Sequence, residues 1–435
     1  MESEQAMKQK DAIIVMTRLP REGGNKTRLI PALGSMGATA FHERLARHAI
    51  GRASAYALMH LGTKLRVQLE GGSAEEGRNW LGKVDCRVQK NGDLGQRLQA
   101  AVEQAFSEGA RRVLVMGTDC PSLNEPLLAE AFDSLDRADL VFGPAADGGY
   151  YLVGLTRSCP EVFQNIEWGG PQVLKQSLAA AATCGVHAAL LEVRPDVDVA
   201  EDLSDANERL AEGNTLSVIV PTLNEEPHLL KLLERLKQAS PHELIIADGG
   251  STDRTVAVAE LAGARVISAP QGRASQMNLA AAMATGEFLL FLHADTLPPP
   301  DYPQVISRVL QSPGTSAGAF RFALAGDLAG APLIESLVHL RCRLQGTPYG
   351  DQGLFIRRRI FRHLGGFPDW PVLEDLHMVR RLKRLGPVRT AQQEAMTSPR
   401  RWENGGTVRT FLRHQLMLVA YHLGVPPRMI ARLRS

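Results

Sequence analysis

Short apolar runs alternate with amphipathic stretches along the whole chain, and the pattern starts afresh halfway. In the first half Ala12–Met16, Lys64–Leu69, Arg112–Met116, Asp139–Phe142 and Ala188–Val193 read as strands. Between them Gly95–Glu108 and Glu125–Leu135 read as helices. In the second half the expected strands are Leu216–Val220, Glu243–Ala247, Arg265–Ser268 and Glu287–Leu292. Glu226–Gln238 sets Leu229, Leu230, Leu232, Leu233 and Leu236 in a stripe near the helical period. Strands alternating with helices predict an α/β fold with mostly parallel sheets, one in each half. The polar segment Ser204–Thr215 closes on Gly213-Asn214 just before a fresh strand. It predicts one domain over residues 1–210 and a second over 211–435.

At 435 residues the chain is too long for one comfortable core, which agrees with two domains. Lys+Arg 49 against Asp+Glu 47 gives a net +2, which excludes a bulk nucleic-acid binder. Cys86, Cys120, Cys159, Cys184 and Cys342 form no C-x-x-C pair. They speak against a zinc site or a disulfide framework and fit a reducing cytoplasm. The polar start MESEQAMKQKD is no secretory signal, and no uncharged apolar run reaches the roughly 20 residues that span a bilayer. A cytoplasmic protein is expected, at most attached to a membrane surface. Thr407–Leu423 is the segment that raises attachment: an apolar helix ended by Gly424 and Pro426-Pro427. It is either docked on its own domain or interfacial, with Arg428, Arg432 and Arg434 meeting anionic headgroups in the second case.

Candidate chemistry gathers at strand ends. Val113–Met116 runs into Gly117-Thr118-Asp119-Cys120-Pro121, and Phe288–Leu292 runs into His293-Ala294-Asp295-Thr296. Open α/β sheets collect ligands at such carboxyl ends, although a turn-forming Asp is the plainer reading. A nucleoside diphosphate needs a hard divalent cation, Mg²⁺ or Mn²⁺, and Asp295 is placed to hold one through oxygen. Asp248 opens a glycine- and hydroxyl-rich turn, Gly249–Thr252, that lets backbone approach a nucleotide. Arg273 is a phosphate partner or a solvated arginine. Glu374-Asp375 is either a source of the general base or a helix N-terminal pair.

The ordered series Ser217–Glu226, Leu244–Asp253, Gly272–Asn278, His293–Asp295, Gly350–Arg357, Glu374-Asp375 and Pro399–Trp402 resembles the family 2 glycosyltransferases, which have a GT-A fold. Within them it looks most like the arsenosugar-biosynthesis glycosyltransferases. The resemblance implies inverting, metal-dependent transfer from a nucleotide sugar to an acceptor hydroxyl or carboxyl. It implies Asp375 as base beside Glu374, Asp295 on the metal, and Pro221, Asn224, Glu225, Asp248, Arg273, Arg401 and Trp402 around the nucleotide. His293 stands where the family carries the first acid of a D-x-D triplet.

In the first half Arg21–Leu29 is a glycine loop with two cations, Lys26 and Arg28, which suits a phosphate without being a Walker A sequence. Asn91–Arg97, Thr118–Pro121, Ala146–Tyr150 and Asp196–Leu203 follow. This set resembles the GT-A-like nucleotidyltransferases related to the molybdenum-cofactor and phospholactate guanylyltransferases, and the glycosyltransferase-like partner of the arsenosugar group. It implies Lys26 and Arg28 on a triphosphate, Asp93 and Gly95 beside the nucleotide, and Asp119 with Asp198 on a metal. A solvated basic loop and a helix-start acidic cluster are the plainer readings. Three functions therefore stay open: a glycosyltransferase with a second nucleotide-binding transferase domain, a nucleotidyltransferase with an accessory glycosyltransferase, or one half that only binds nucleotide. The partners expected are a nucleotide sugar or nucleoside triphosphate and a small-molecule or lipid-like acceptor.

Overall fold

The computed structural model describes residues 11–326, 330–400 and 407–433. Arg401, Trp402 and Arg434 lie outside the described residues. Two compact units emerge. The first runs to Gly213 and takes in Gln311–Gly314; the second comprises Asn214–Leu310 and the chain from Thr315.

Among the described residues unit 1 has seven strands: β1 (Asp11–Arg18), β2 (Lys64–Glu70), β3 (Asp85–Val88), β4 (Arg112–Met116), β5 (Leu140–Pro144), β6 (Tyr150–Leu155) and β7 (Ala188–Leu190). Their order is β3-β2-β1-β4-β6-β5-β7. β1 pairs parallel with β2 and β4, and β6 runs antiparallel between β4 and β5. Side chains alternate across β1, and both faces are covered. Ile13 and Val15 pack with Ile50 and Ala53 of helix Ile30–Met59, while Ala12 and Ile14 pack with Leu98 and Val102 of helix Leu94–Ser107. Strands buried on both faces read as continuous apolar runs, which is why β1 and β4 stood out in the sequence.

Unit 2 has eight strands among the described residues: β8 (Leu216–Thr222), β9 (Glu243–Asp248), β10 (Arg265–Ser268), β11 (Phe288–Phe291), β12 (Thr296–Leu297), β13 (Ala317–Leu324), β14 (Leu354–Arg357) and β15 (Val388–Thr397). The order is β10-β9-β8-β11-β14-β13-β15-β12. β8, β9, β10 and β11 pair in parallel, and β14 is antiparallel between β11 and β13. Both units are thus α/β, with mostly parallel, mixed sheets. Helix Glu226–Gln238 forms as expected and buries Leu229, Leu232, Leu233 and Leu236; Leu230 faces out.

Two sequence readings change. Most of Ser204–Thr215 is helix Leu203–Glu212 rather than a loose connector. Its Ala206 and Leu210 pack on Phe41 and Leu45 of the long helix. Helix Ile30–Met59 was not anticipated at all. It breaks at Gly34 (φ 71°) and buries Ala46 to Tyr56 almost continuously, so it shows little periodic contrast.

Candidate functional site

Unit 2 carries a cleft of about 420 Å³ at the carboxyl ends of β8 and β11, lined among others by Pro221, Glu225, Gly272, Arg273, Gln276, His293, Asp295 and Arg400. The strands deliver Pro221 and Asp295. Helix Arg273–Met283 delivers its own N-terminus, which starts at Gly272 with φ 138°. Gln276 bolts that helix to the sheet: its amide donates to Thr222 O at 2.8 Å and Ala247 O at 2.7 Å. Backbone N–H groups at a helix start favour an anion.

Charge in the cleft is organised around Arg400. One guanidinium nitrogen lies 3.4 Å from Glu225 Oε1 and 3.8 Å from Asp295 Oδ2. Its other nitrogen meets His228 Nε2 at 3.2 Å. Glu225 Oε2 is buried with no hydrogen-bond partner among the described residues. A buried carboxylate oxygen left unpaired costs free energy, so this atom is poised for a cation. Arg273 lies 3.3 Å from His293 Nε2 and 3.5 Å from Glu374 Oε1, whose carboxylate is deeply buried.

Asp375 stands apart from this cleft. With Glu374, His293, Gly350 and Phe367 it lines a small cavity of about 10 Å³. Its Oδ2 accepts from the Gly350 N–H at 2.7 Å. A Cβ on Gly350 would lie 3.0 Å from His293 Nε2 and 3.1 Å from Asp375 Oδ2, so a side chain there would have to push one of them back by a few tenths of an ångström. Leu373, which enters the helix Glu374–Leu385, holds φ at 64°. A leucine in the left-handed region costs on the order of 1 kcal/mol and marks a site held in place by its surroundings.

Asp248, expected at a base or ribose, is not among the residues that line the cleft. Oδ2 accepts from the Gly250 and Ser251 N–H groups at 2.9 and 2.8 Å, and Oδ1 from Thr222 and Ser251 hydroxyls. Burial pushes this carboxyl up, but the Ser251, Gly250 and Thr222 hydrogen bonds outweigh it and leave the pKa below the usual value. The carboxylate thus accepts three hydrogen bonds from its own turn and one from Thr222 of β8. Asn224 (φ 55°) likewise ties loops together, accepting from the Thr252 N–H at 2.8 Å.

Unit 1 has a cleft of about 470 Å³, lined among others by Arg18, Lys26, Arg28, His42, Arg97, Asp119 and Asp198. Lys26 (φ 47°) sits deep in it, 2.9 Å from Asp119 Oδ1 and 3.4 Å from Asp198 Oδ1, and also donates to Val197 O. Arg28 reaches Asp198 at 3.2 Å. The structure brings Asp119 and Asp198 together, but through an ammonium. Among the described residues, the group of three carboxylates within metal-ligating reach of one another is Asp147, Asp196 and Asp198. Burial first, then Asp147, Asp198 and Asp119, push Asp196 up to about 6. Asp147 and Asp196 stood in the sequence motifs but were not singled out as ligands.

Asp93 and Gly95 do not line the cleft; Leu94 and Arg97 do. Asp93 caps helix Leu94–Ser107, accepting from Gln96 N at 2.8 Å. A Cβ on Gly95 would lie 2.1 Å from Phe163 O and 2.9 Å from the Trp168 indole nitrogen, so packing dictates that glycine.

Residues 217–362 match the family model "Glycosyl transferase family 2", and residues 54–170 match "Uncharacterized protein conserved in bacteria (DUF2064)". Glucosyl-3-phosphoglycerate synthase of Mycolicibacterium smegmatis is 31% identical over 170 residues, 32% of this chain and 55% of that protein. A PGL/p-HBAD biosynthesis glycosyltransferase of Mycobacterium bovis is 39% identical over 88 residues, 18% of this chain and 34% of that protein. The chain therefore spans about half, or less, of these relatives' lengths. Among solved structures, glucosyl-3-phosphoglycerate synthase from Mycobacterium tuberculosis in complex with Mn²⁺, UDP and glucosyl-3-phosphoglycerate aligns at 23% identity and TM-score 0.37, covering 49% of this chain and 81% of that one.

Proposed function

We propose that unit 2 is a glycosyltransferase that takes a sugar from a nucleoside-diphosphate sugar, with a divalent cation bound, and delivers it to an acceptor hydroxyl or carboxyl. The observation that supports this reading is the convergence of Asp295, Glu225, Arg273, Arg400 and a helix N-terminus in one cleft, within the segment that matches the glycosyltransferase model. The donor set suits Mg²⁺ or Mn²⁺, because Asp295 and Glu225 offer carboxylate oxygens and Glu225 Oε2 has no hydrogen-bond partner among the described residues. When bound, such an ion neutralises diphosphate charge as the leaving group departs. Arg273 and the helix start hold the phosphates, and Arg400, drawn off its carboxylates, adds a forked donor set. Asp375, held by Gly350, takes the acceptor's proton as the new glycosidic bond forms and the bond to the diphosphate breaks. Inverting displacement and the arsenosugar relationship belong to this reading through the motif resemblance.

Calorimetric titration of the full chain with nucleoside diphosphates, with and without Mn²⁺, tests it. Metal-dependent binding that Asp295→Asn removes is expected, with sugar transfer seen by mass spectrometry. Binding equal in wild type and Asp295→Asn would overturn the assignment.

A second reading is favoured by the unit 1 cleft, where Arg18, Lys26, Arg28 and Arg97 stand among three carboxylates, Glu70, Asp119 and Asp198. It makes unit 1 a guanylyltransferase-like nucleotidyltransferase that releases pyrophosphate from a nucleoside triphosphate. Pyrophosphate release lost in Asp119→Asn and kept in Asp295→Asn would favour it. Nucleotide binding by unit 1 without turnover would leave it a binding module.

A further inference from the structure

Two helices of unit 2 leave apolar faces to solvent, and both connect to the segments that hold Asp375. Helix Ala331–Gln345 exposes Leu333 (66%), Leu337 (39%), Leu340 (50%) and Leu344 (74%), a continuous stripe at 4-3-4 spacing. Its opposite side packs Ala331 and Ile334 on Phe322 and Leu324. The helix runs through Gly346 to Tyr349 and Gly350, whose N–H binds Asp375. Helix Thr407–His422 exposes Leu416 and Val419, with Leu423 just beyond. Its Met417 packs on Val372, and Tyr421 meets His377 Nδ1 at 3.1 Å, so it braces the other approach to Asp375.

Basic residues outnumber acidic ones along both helices, although Arg341 lies stacked on the Tyr349 ring. Glu335 is the single acid of the first helix, and its Oε1 is bound by the Leu324 N–H; Arg341 and Arg343 follow in the last turns. From Thr407 to Leu433 the chain has no acid and carries Arg409, Arg413, Arg428 and Arg432. Contiguous exposed apolar side chains beside polar ones mark interaction sites. A basic rim beside exposed leucines matches an anionic bilayer interface, which takes up apolar side chains and attracts cations. No helix among the described residues is long and apolar enough to cross a membrane.

We infer that unit 2 docks on an anionic lipid surface through Leu333, Leu337, Leu340 and Leu344, assisted by the C-terminal helix. On the glycosyltransferase reading, this brings Asp375 beside an amphiphilic acceptor delivered from the lipid. The docking itself does not depend on that reading.

The test is co-sedimentation of the full chain with vesicles of phosphatidylcholine alone and of phosphatidylcholine with phosphatidylglycerol. Binding only to the anionic vesicles, weakened by salt and reduced about tenfold or more in Leu337→Glu/Leu340→Glu, is expected. The variant should keep its thermal midpoint and its lipid-free nucleotide binding, because both side chains are exposed. A wild type that stays in the supernatant with anionic vesicles at low salt overturns the inference. So does a dimer in solution that the same substitutions dissociate without any lipid binding, which would make a second copy the occupant. Loss of lipid-free, metal-dependent donor binding would instead count against the glycosyltransferase reading.

Discussion

The ammonium of Lys26 lies 2.9 Å from a carboxylate oxygen of Asp119, with Asp198 at 3.4 Å on its other side. An internal cation thus stands between the two carboxylates that the sequence motifs assign to a metal. Lys26→Met leaves Asp119 and Asp198 without their shared cation. It should lower the unit 1 thermal midpoint by an amount equivalent to about 1–2 kcal/mol, because Lys26 is buried but both acids are partly exposed. Added Mn²⁺ should restore the midpoint in the variant more than in wild type. Thermal scans with and without the ion check this, and an equal response would show that the two acids do not share an ion.

Asp375→Asn keeps the side chain's shape and an oxygen for the Gly350 N–H but removes its basicity. Turnover should fall roughly 10²-fold or more with donor affinity nearly unchanged. Steady-state kinetics beside calorimetric donor binding separate the two. A comparable loss of donor affinity would place Asp375 in the nucleotide site.

Asp196 gives unit 1 a pH signature. Its carboxyl is pushed from 3.8 to about 6 in the fold, so the folded state holds that proton more tightly than the unfolded chain does. Stability from this group is full below about 4 and is lost as pH rises through about 6. Asp196→Asn should therefore raise the thermal midpoint at pH 7.5, by the equivalent of about 1–2 kcal/mol after allowance for solvent screening. The gain should vanish near pH 4. A constant gain across that range would mean that Asp196 is not the titrating group.

Gly95→Ala distinguishes packing from nucleotide approach. The new methyl meets Phe163 O and Trp168, so a loss of about 1–3 kcal/mol is expected by overpacking. Nucleotide affinity per folded molecule should stay as in wild type. Reduced affinity without lost stability would return Gly95 to the binding site.

These cases show where the sequence was legible. β1, β4, β8 and β9 were readable because strands covered on both faces are unbroken apolar runs, and helix Glu226–Gln238 because only one face is covered. β6, an antiparallel insertion, was not read as a strand, whereas β14 fell inside the Gly350–Arg357 motif. In the site, Pro221, Glu225, Arg273 and Asp295 share one cleft, as their order along the chain suggested. Asp93 caps the helix Leu94–Ser107, and Asp248 accepts from its own turn and from Thr222. A carboxylate spacing is the same whether its partner is a ligand or the adjacent backbone, so sequence alone could not separate them. Arg400 emerged in the cleft because only the fold shows that its guanidinium faces Glu225 and Asp295.

The clasp between Asn278 and Phe367 carries a kinetic consequence. The Asn278 amide donates to Phe367 O at 2.8 Å and accepts from Phe367 N at 2.9 Å, and Ser275 Oγ binds Asp369 at 3.0 Å. The helix proposed to hold the diphosphate is thereby fastened to the loop that leads into Asp375. Whatever stills that helix also stills the loop, so the two substrates should bind in compulsory order, nucleotide sugar first. Product inhibition by the nucleoside diphosphate would then be competitive with the donor and noncompetitive with the acceptor, and cutting the clasp with Asn278→Ala should turn the order random.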